Sequence, residues 1–146
     1  MPTNYAELYR DLEERLTQFS REMPGPMSGF ARLHKKAVDD GALSAKVKEL
    51  MALAISIAVG CEGCIAYHTY DAIQAGATRP ELLETISVGV MTLAPALRSG
   101  ARLTRRCAAE ARWASAGVAG GPGTIYAAHA LDAVDQFLTE SAAVGG

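Results

Sequence analysis

The feature that most constrains this chain is a nearly continuous apolar run, LMALAISIAV, over residues 50–59. Ser44 is a preferred helix N-cap and Gly60 a preferred helix terminator, so the run forms the second half of one predicted helix. A helix that is apolar on almost every side must be covered on almost every side. Ten residues are too few to cross a bilayer, and a chain of 146 residues can hardly surround such a helix alone. We therefore expect a helical bundle that also self-associates.

Helix signals continue on both sides of this run, whereas strand alternation bounded by turn residues is absent. Asn4 with Glu7, and Thr78 with Glu81, have the spacing of capping boxes. The fold class is therefore predicted as all-α, with about six to seven helices in a single domain over residues 1–146. Its predicted parts are a core at 28–115, a glycine-rich linker at 116–123 and a C-terminal helix at 124–140. Within the core we expect a helix over 28–39 and a break near Pro95 that separates helices ending at about 93 and 115.

Composition argues against two classes of partner. Lys and Arg number 14 against 16 Asp and Glu, and the net charge is −2 without an extended basic run, so we predict no nucleic-acid surface. The N-terminus turns polar at once, so we predict a cytoplasmic protein that does not bind membranes. Three cysteines cannot all pair within one chain, and the cytoplasm keeps purely structural disulfides reduced. A close cysteine pair in such a protein indicates redox or metal chemistry.

The close pair lies in the segment GCEGCIAYH, residues 60–68. Cys61 and Cys64 are separated by two residues at a predicted helix start, which brings their sulfurs within bonding reach. The free backbone N–H groups of that helix end favour a thiolate. His68 follows Cys64 by four residues and Cys61 by seven, so the three side chains share one helical stripe. The imidazole is therefore a candidate proton acceptor for a thiol.

Glu49 is the candidate partner of this imidazole. If the helices before and after Gly60 form an antiparallel hairpin, a rise of about 1.5 Å per residue puts Glu49 roughly 16 Å and His68 roughly 12 Å from the turn. The two side chains then lie within one helical turn of each other. A carboxylate beside an imidazole orients it, as in other arrangements of nucleophile, base and orienting group. We therefore predict a relay from Glu49 through His68 to a cysteine.

Together these residues resemble the alkylhydroperoxidase D group of the carboxymuconolactone decarboxylase-like superfamily. The shared pattern is Glu49, eleven intervening residues, the Cys61-x-x-Cys64 pair, three more residues and His68. The flanking segments GALS, KEL and GAT are also similar to that family's pattern. The similarity covers roughly residues 30–101, about half of the chain.

The resemblance implies an all-helical subunit that assembles into a homotrimer or homohexamer and reduces small hydroperoxides. It implies Cys64 as the residue that becomes a sulfenic acid and Cys61 as the resolving thiol that closes a redox-active disulfide. His68 and Glu49 would relay protons, and a thiol reductant system would regenerate the protein. No cofactor or metal is implied beyond the disulfide itself.

Two features of the segment bear on this assignment. The helix-end argument favours Cys61 as the more acidic thiol, so the order of attack stays open. Peroxidase-active members also tend to carry a histidine directly before the second cysteine, where this chain has Gly63. That difference concerns the strength of peroxidase activity and leaves the dithiol intact.

Other interpretations are kept beside this one. The cysteines could be small buried apolar residues, or could bind zinc with His68 and Glu49. Decarboxylase-type proton transfer on a small acid or lactone by His68 and Glu49 is a second enzyme hypothesis, and a non-catalytic redox-sensing oligomeric module is a third. We predict that the Ser56 hydroxyl donates back to a backbone carbonyl and that Tyr67 and Tyr70 pack in the core or an interface. We also predict that Cys107 is structural and that His34 and His129 are solvated.

Overall fold

The computed structural model describes residues 3–98 and 122–144, and nearly all of them are helical. The helices are α1 (Tyr5–Glu22), α2 (Pro24–Val38), α3 (Ala45–Val59), α4 (Glu62–Gln74), α5 (Arg79–Arg98) and α6 (Pro122–Val144). These residues contain no strand, which confirms the predicted all-α fold class. None of the described helices has both the length and the apolar character needed to cross a membrane.

Local sequence signals explain where several helices begin. Asn4 Oδ1 accepts a hydrogen bond from the N–H of Glu7 at 3.0 Å, and Ser44 caps α3 in the same way. At the start of α5, the Glu81 carboxylate accepts hydrogen bonds from the backbone N–H and the hydroxyl of Thr78, at 2.7 and 2.9 Å. Such contacts satisfy backbone groups that helix geometry leaves without partners. Both predicted capping pairs are therefore confirmed as contacts.

Four helix ends differ from the prediction by two or more residues, and three of them involve a proline. Helix α2 begins at Pro24, because a proline fits the first turn, where its missing N–H needs no partner. Helix α5 continues through Pro95, since a proline removes one backbone hydrogen bond and need not end the helix. Helix α6 begins at Pro122, two residues inside the predicted linker, and ends at Val144, beyond the predicted end at residue 140. The rest of that linker, the predicted helix beyond Arg98 and Cys107 lie outside the described residues.

The core forms where α3 packs against α4, α5 and α6. Leu53 and Ile57 of α3 are fully buried. Helix α5 crosses α3 closely at Gly89, where an added Cβ would lie 3.1 Å from the Ala54 carbonyl oxygen and from the Ile57 side chain. The other helices contribute buried apolar side chains that include Ile65, Ala66, Leu82, Ile86, Ala130, Ala133 and Val134. This packing places α3 and α4 side by side, which positions the candidate site.

The opposite face of α3 is exposed in the single chain. Val47, Met51, Ile55 and Val59 repeat every four residues along it and are 38, 51, 60 and 69% exposed. We call these four residues the α3 stripe. The sequence predicted that α3 is covered on almost every side, and the described part of one chain leaves this stripe uncovered.

The first residues of the described chain are attached to α6. Tyr5 is fully buried, its N–H donates to Gln136 Oε1 at 2.6 Å, and its hydroxyl contacts Nδ1 of His129. Gln136 in turn donates from Nε2 to the carbonyl oxygen of Thr3 at 3.1 Å. The prediction that His129 is solvated was wrong, because its ring packs edge-on against Tyr5 with centroids 5.9 Å apart.

Candidate functional site

The turn between α3 and α4 positions the cysteine pair. Gly60 ends α3 in the left-handed region, with φ 69° and ψ 43°, which glycine adopts without strain. A Cβ at this position would lie 2.6 Å from Cε2 of Tyr126 on α6, so the ring closes off the outside of the turn. Cys61 follows in an extended conformation as the N-cap of α4. The chain therefore reverses direction immediately before the first cysteine.

Cys61 and Cys64 form a disulfide, with their Cα atoms 5.2 Å apart. The Cys61 sulfur also accepts a hydrogen bond from the backbone N–H of Cys64 at 3.3 Å. After reduction, this N–H at the positive end of the helix dipole would stabilise a thiolate on Cys61. Leu12 of α1 covers the first turn of α4, because a Cβ at Gly63 would lie 3.2 Å from Leu12 Cδ1. A histidine at position 63 would therefore have to move Leu12.

Glu49 and His68 meet between α3 and α4. Nδ1 of His68 lies 2.8 Å from Oε2 of Glu49, which is only 4% exposed. The predicted proximity of the two side chains is therefore confirmed, while their catalytic role stays a prediction. Nε2 of His68 is left as the nitrogen available to a thiol or substrate. Ser56 donates to the carbonyl oxygen of Ala52 at 2.7 Å, which confirms that its hydroxyl is back-bonded.

His34 of α2 joins this pair, and sequence reasoning missed it. Its Nε2 is buried and has no hydrogen-bond partner among the described residues, so the prediction that it is solvated was wrong. Three potential metal-binding atoms, one each from His34, Glu49 and His68, all lie within 4.8 Å of one another. The His34 ring packs edge-on against Tyr67, with centroids 5.8 Å apart. The sequence feature that could have indicated His34 is its four-residue spacing from Phe30. This spacing predicts that the two side chains share a helix face, but it does not predict which helix that face contacts.

Comparison with known proteins identifies the family. Residues 24–106, more than half of the chain, match the model of the carboxymuconolactone decarboxylase family. The chain belongs to this family. A protein of Cupriavidus necator, described as uncharacterised, is 32% identical over 134 residues, which cover 87% of this chain and 96% of that relative. An uncharacterised protein from the cox locus of Paracoccus denitrificans is 36% identical over 72 residues, covering 49% of this chain and 60% of that relative.

A solved structure supports the same assignment. The crystal structure of an apo carboxymuconolactone decarboxylase family protein from Legionella pneumophila is 34% identical to this chain, with a TM-score of 0.69. The match covers 91% of this chain and 96% of that protein. The predicted superfamily and the all-helical fold are therefore confirmed together.

The site of this carboxymuconolactone decarboxylase family member contains a second acidic side chain, Asp71. Burial, and then the negative charge of Glu49, raise the pKa of Asp71 from its ordinary value of 3.8 to about 6, while His68 and His34 oppose the rise. Burial also raises the pKa of Tyr67, and Asp71 is the next largest cause. The site is therefore partly desolvated and holds acidic groups close together, an environment that favours a bound proton or cation.

Aromatic side chains line the α1 side of α4. Tyr9 stacks on Tyr70 with ring centroids 4.2 Å apart and lies 5.7 Å from Tyr67. The predicted packing role of Tyr67 and Tyr70 is confirmed by these contacts. In this family member the site thus combines a sulfur pair at the start of α4 with an imidazole of α4 that contacts a carboxylate of α3, beside a group of aromatic side chains.

Proposed function

We propose that this protein is a thiol-dependent oxidoreductase that reduces small hydroperoxides through Cys61 and Cys64. Glu49 and His68 act as its proton relay. The observation that carries the proposal is the placement of the sulfur pair at the start of α4, one turn before the buried Glu49–His68 contact. Nucleophile, base and orienting group then follow one another along the helix.

The position of each sulfur supports a different role for it. Cys64 and His68 are four residues apart on α4 and so lie on the same face in successive turns. Because Glu49 engages Nδ1 of His68, the other ring nitrogen accepts the Cys64 proton. Cys61 already accepts the N–H of Cys64, so its thiolate is stabilised beside the sulfur that it attacks. We therefore assign Cys64 as the peroxide-attacking thiol and Cys61 as the resolving thiol.

The two cysteines supply both electrons for peroxide reduction, and an external reductant completes the cycle. The Cys64 thiolate attacks one peroxide oxygen, the O–O bond breaks, and the alkoxide takes a proton from His68 and leaves as an alcohol. Cys64 is then a sulfenic acid. The Cys61 thiolate attacks its sulfur, the S–O bond breaks, and the released hydroxide takes a proton and leaves as water. A dithiol reductant supplies two electrons and two protons to reopen the disulfide, and the cytoplasm is the compartment that maintains such reductants.

We also propose that copies of this chain associate through the α3 stripe into a homotrimer or homohexamer. The stripe is apolar along its whole length, and Val88 and Met91 of α5 are also 49 and 64% exposed. Large contiguous apolar surfaces are rare on monomers and mark interaction sites. A second copy of the chain carries the same apolar stripe and is the partner that this surface fits.

The test is to mix the reduced protein with a small excess of an alkyl hydroperoxide and follow thiol loss by mass spectrometry. We expect rapid closure of the Cys61–Cys64 disulfide, with one alcohol formed per disulfide. Cys64→Ser should abolish turnover and leave the helix content unchanged. Cys107→Ser is the matched control, since it removes a cysteine outside the pair and should retain turnover. Full turnover by Cys64→Ser would refute the mechanism.

A second candidate function is proton transfer on a small acid or lactone by His68 and Glu49. The observation that favours it is the 2.8 Å contact between these side chains, which involves no sulfur. A Cys61→Ser, Cys64→Ser double variant distinguishes the two functions, because it retains activity only if the imidazole and carboxylate act alone. Disulfide closure without any turnover, together with a change in assembly, would instead indicate a redox-sensing module.

A further inference from the structure

Three helices bring His34, Glu49 and His68 together, and one nitrogen or oxygen from each lies within 4.8 Å of the others. Two imidazoles and one carboxylate form a ligand set used for zinc and other divalent transition metals. We propose that these three side chains bind such an ion, with zinc as the reference ion, when the cysteine pair is oxidised.

The spacing of the three groups is close to that of a metal site. Zinc bonds to imidazole nitrogen and carboxylate oxygen are about 2.0–2.2 Å long, so ligand atoms of a tetrahedral ion lie about 3.4 Å apart. His68 Nδ1 and Glu49 Oε2 are already 2.8 Å apart, and a small separation of these atoms admits the ion. The longest spacing has to shorten from 4.8 Å to about 3.4 Å, a shift that side-chain rotation supplies.

His34 is the residue that distinguishes a metal site from a simple ion pair. Glu49 and His68 already satisfy each other, whereas Nε2 of His34 is buried without a hydrogen-bond partner in the described residues. Buried polar atoms normally have a partner, so an unpaired nitrogen on an imidazole that lies beside a carboxylate calls for a bound group. A metal ion satisfies this nitrogen and also neutralises the buried negative charge of Glu49.

The ligand set also indicates which ions fit. Imidazole nitrogens favour zinc, copper, nickel and iron over magnesium and calcium, which prefer oxygen ligands. The Cys61 and Cys64 sulfurs are bonded to each other in the disulfide and are not required as ligands. Three protein ligands leave one coordination position open, and the 20% exposure of the His68 side chain leaves a path to solvent.

Binding would compete with the proton relay. A metal ion on Glu49 and His68 removes the base that the Cys64 thiol needs, so zinc should inhibit the thiol cycle. This consequence rests on the proposed function, whereas the binding itself does not. The experiment therefore measures binding in the disulfide form, without peroxide or reductant.

The experiment is a calorimetric titration of the untagged, oxidised 146-residue chain with Zn²⁺. We expect one ion per chain, and at least tenfold weaker binding by His34→Gln. His129→Gln is the matched control, because it removes a histidine that contacts Tyr5 at α6 and should bind zinc as the wild-type protein does. Circular dichroism establishes that each variant keeps its helix content.

A second measurement guards against a folding defect in His34→Gln. Co²⁺ added to the oxidised wild-type protein should give visible absorption of a nitrogen and oxygen site without a thiolate charge-transfer band. Absence of stoichiometric binding by the wild-type protein, or equal binding by wild-type and His34→Gln, would overturn the proposal. Loss of peroxide reduction alone would overturn only the proposed function.

Discussion

Replacing Gly60 with alanine should destabilise the protein more than the same change at Gly76. The difference in unfolding free energy measures the clash of the added Cβ with Tyr126. Both glycines have positive φ, 69° and 86°. An alanine in this left-handed region costs about 1–2 kcal/mol at either position. At Gly76 no atom lies within 4 Å of an added Cβ, so this backbone penalty is the whole expected effect.

At Gly60 the added Cβ would also collide with Tyr126. It would lie 2.6 Å from Cε2 and 2.8 Å from Cζ of the ring, whereas carbon atoms in contact are about 3.5–4.0 Å apart. The ring or the turn must therefore move by about 1 Å, and overpacking of this kind adds about 1–3 kcal/mol. We expect a total loss of about 2–5 kcal/mol for Gly60→Ala.

The assay is urea unfolding followed by circular dichroism, with the disulfide intact and at equal protein concentration for every variant. Each glycine is replaced in the wild-type protein and in a Tyr126→Ala background. The penalty at Gly60 should fall to the Gly76 value once the ring is removed, while the Gly76 penalty stays the same. Equal penalties at the two glycines in the wild-type protein, or a Gly60 penalty that persists without Tyr126, would refute the reasoning.

Two further predictions concern charge and assembly. Asp71→Asn should stabilise the protein at about pH 8 by about 1–2 kcal/mol. The rise in the pKa of Asp71 from 3.8 to about 6 corresponds to about 3 kcal/mol, and solvent screening at this half-buried carboxyl reduces that value. Because the pKa of Asp71 is raised in the folded protein, its carboxylate destabilises the wild-type protein only as pH rises from about 4 to about 6. Urea unfolding at about pH 4 should therefore show no comparable gain for Asp71→Asn. A gain there equal to the gain at about pH 8 would contradict the raised pKa. Ile55→Lys, in the middle of the α3 stripe, should shift sedimentation toward monomer with unchanged helix content, whereas Leu131→Lys on α6 should not. An unchanged assembly in Ile55→Lys would exclude the stripe as the interface.

The cysteine part of the candidate site could be predicted because its geometry is local. Cys64 and His68 belong to α4 and Cys61 is its N-cap, and the spacing of residues along a helix determines which side chains share a face. Glu49 could be added because Gly60 marks a tight reversal, and equal rise per residue on both helices places Glu49 and His68 within one helical turn of each other. The contact of Glu49 with His68 at 2.8 Å agrees with that calculation.

By itself, then, the sequence determined what depends on neighbours along the chain, which includes the caps, the reversal at Gly60 and the shared face of Cys64 and His68 on α4. Only the tertiary structure decided what depends on how helices rotate and pack. Helix α2 is oriented so that His34 lies beside Glu49, α5 continues through Pro95, and the described residues of one chain leave the α3 stripe exposed. The physical reason is that side-chain periodicity defines the faces of a helix, whereas the neighbour that each face meets is set by packing between distant segments.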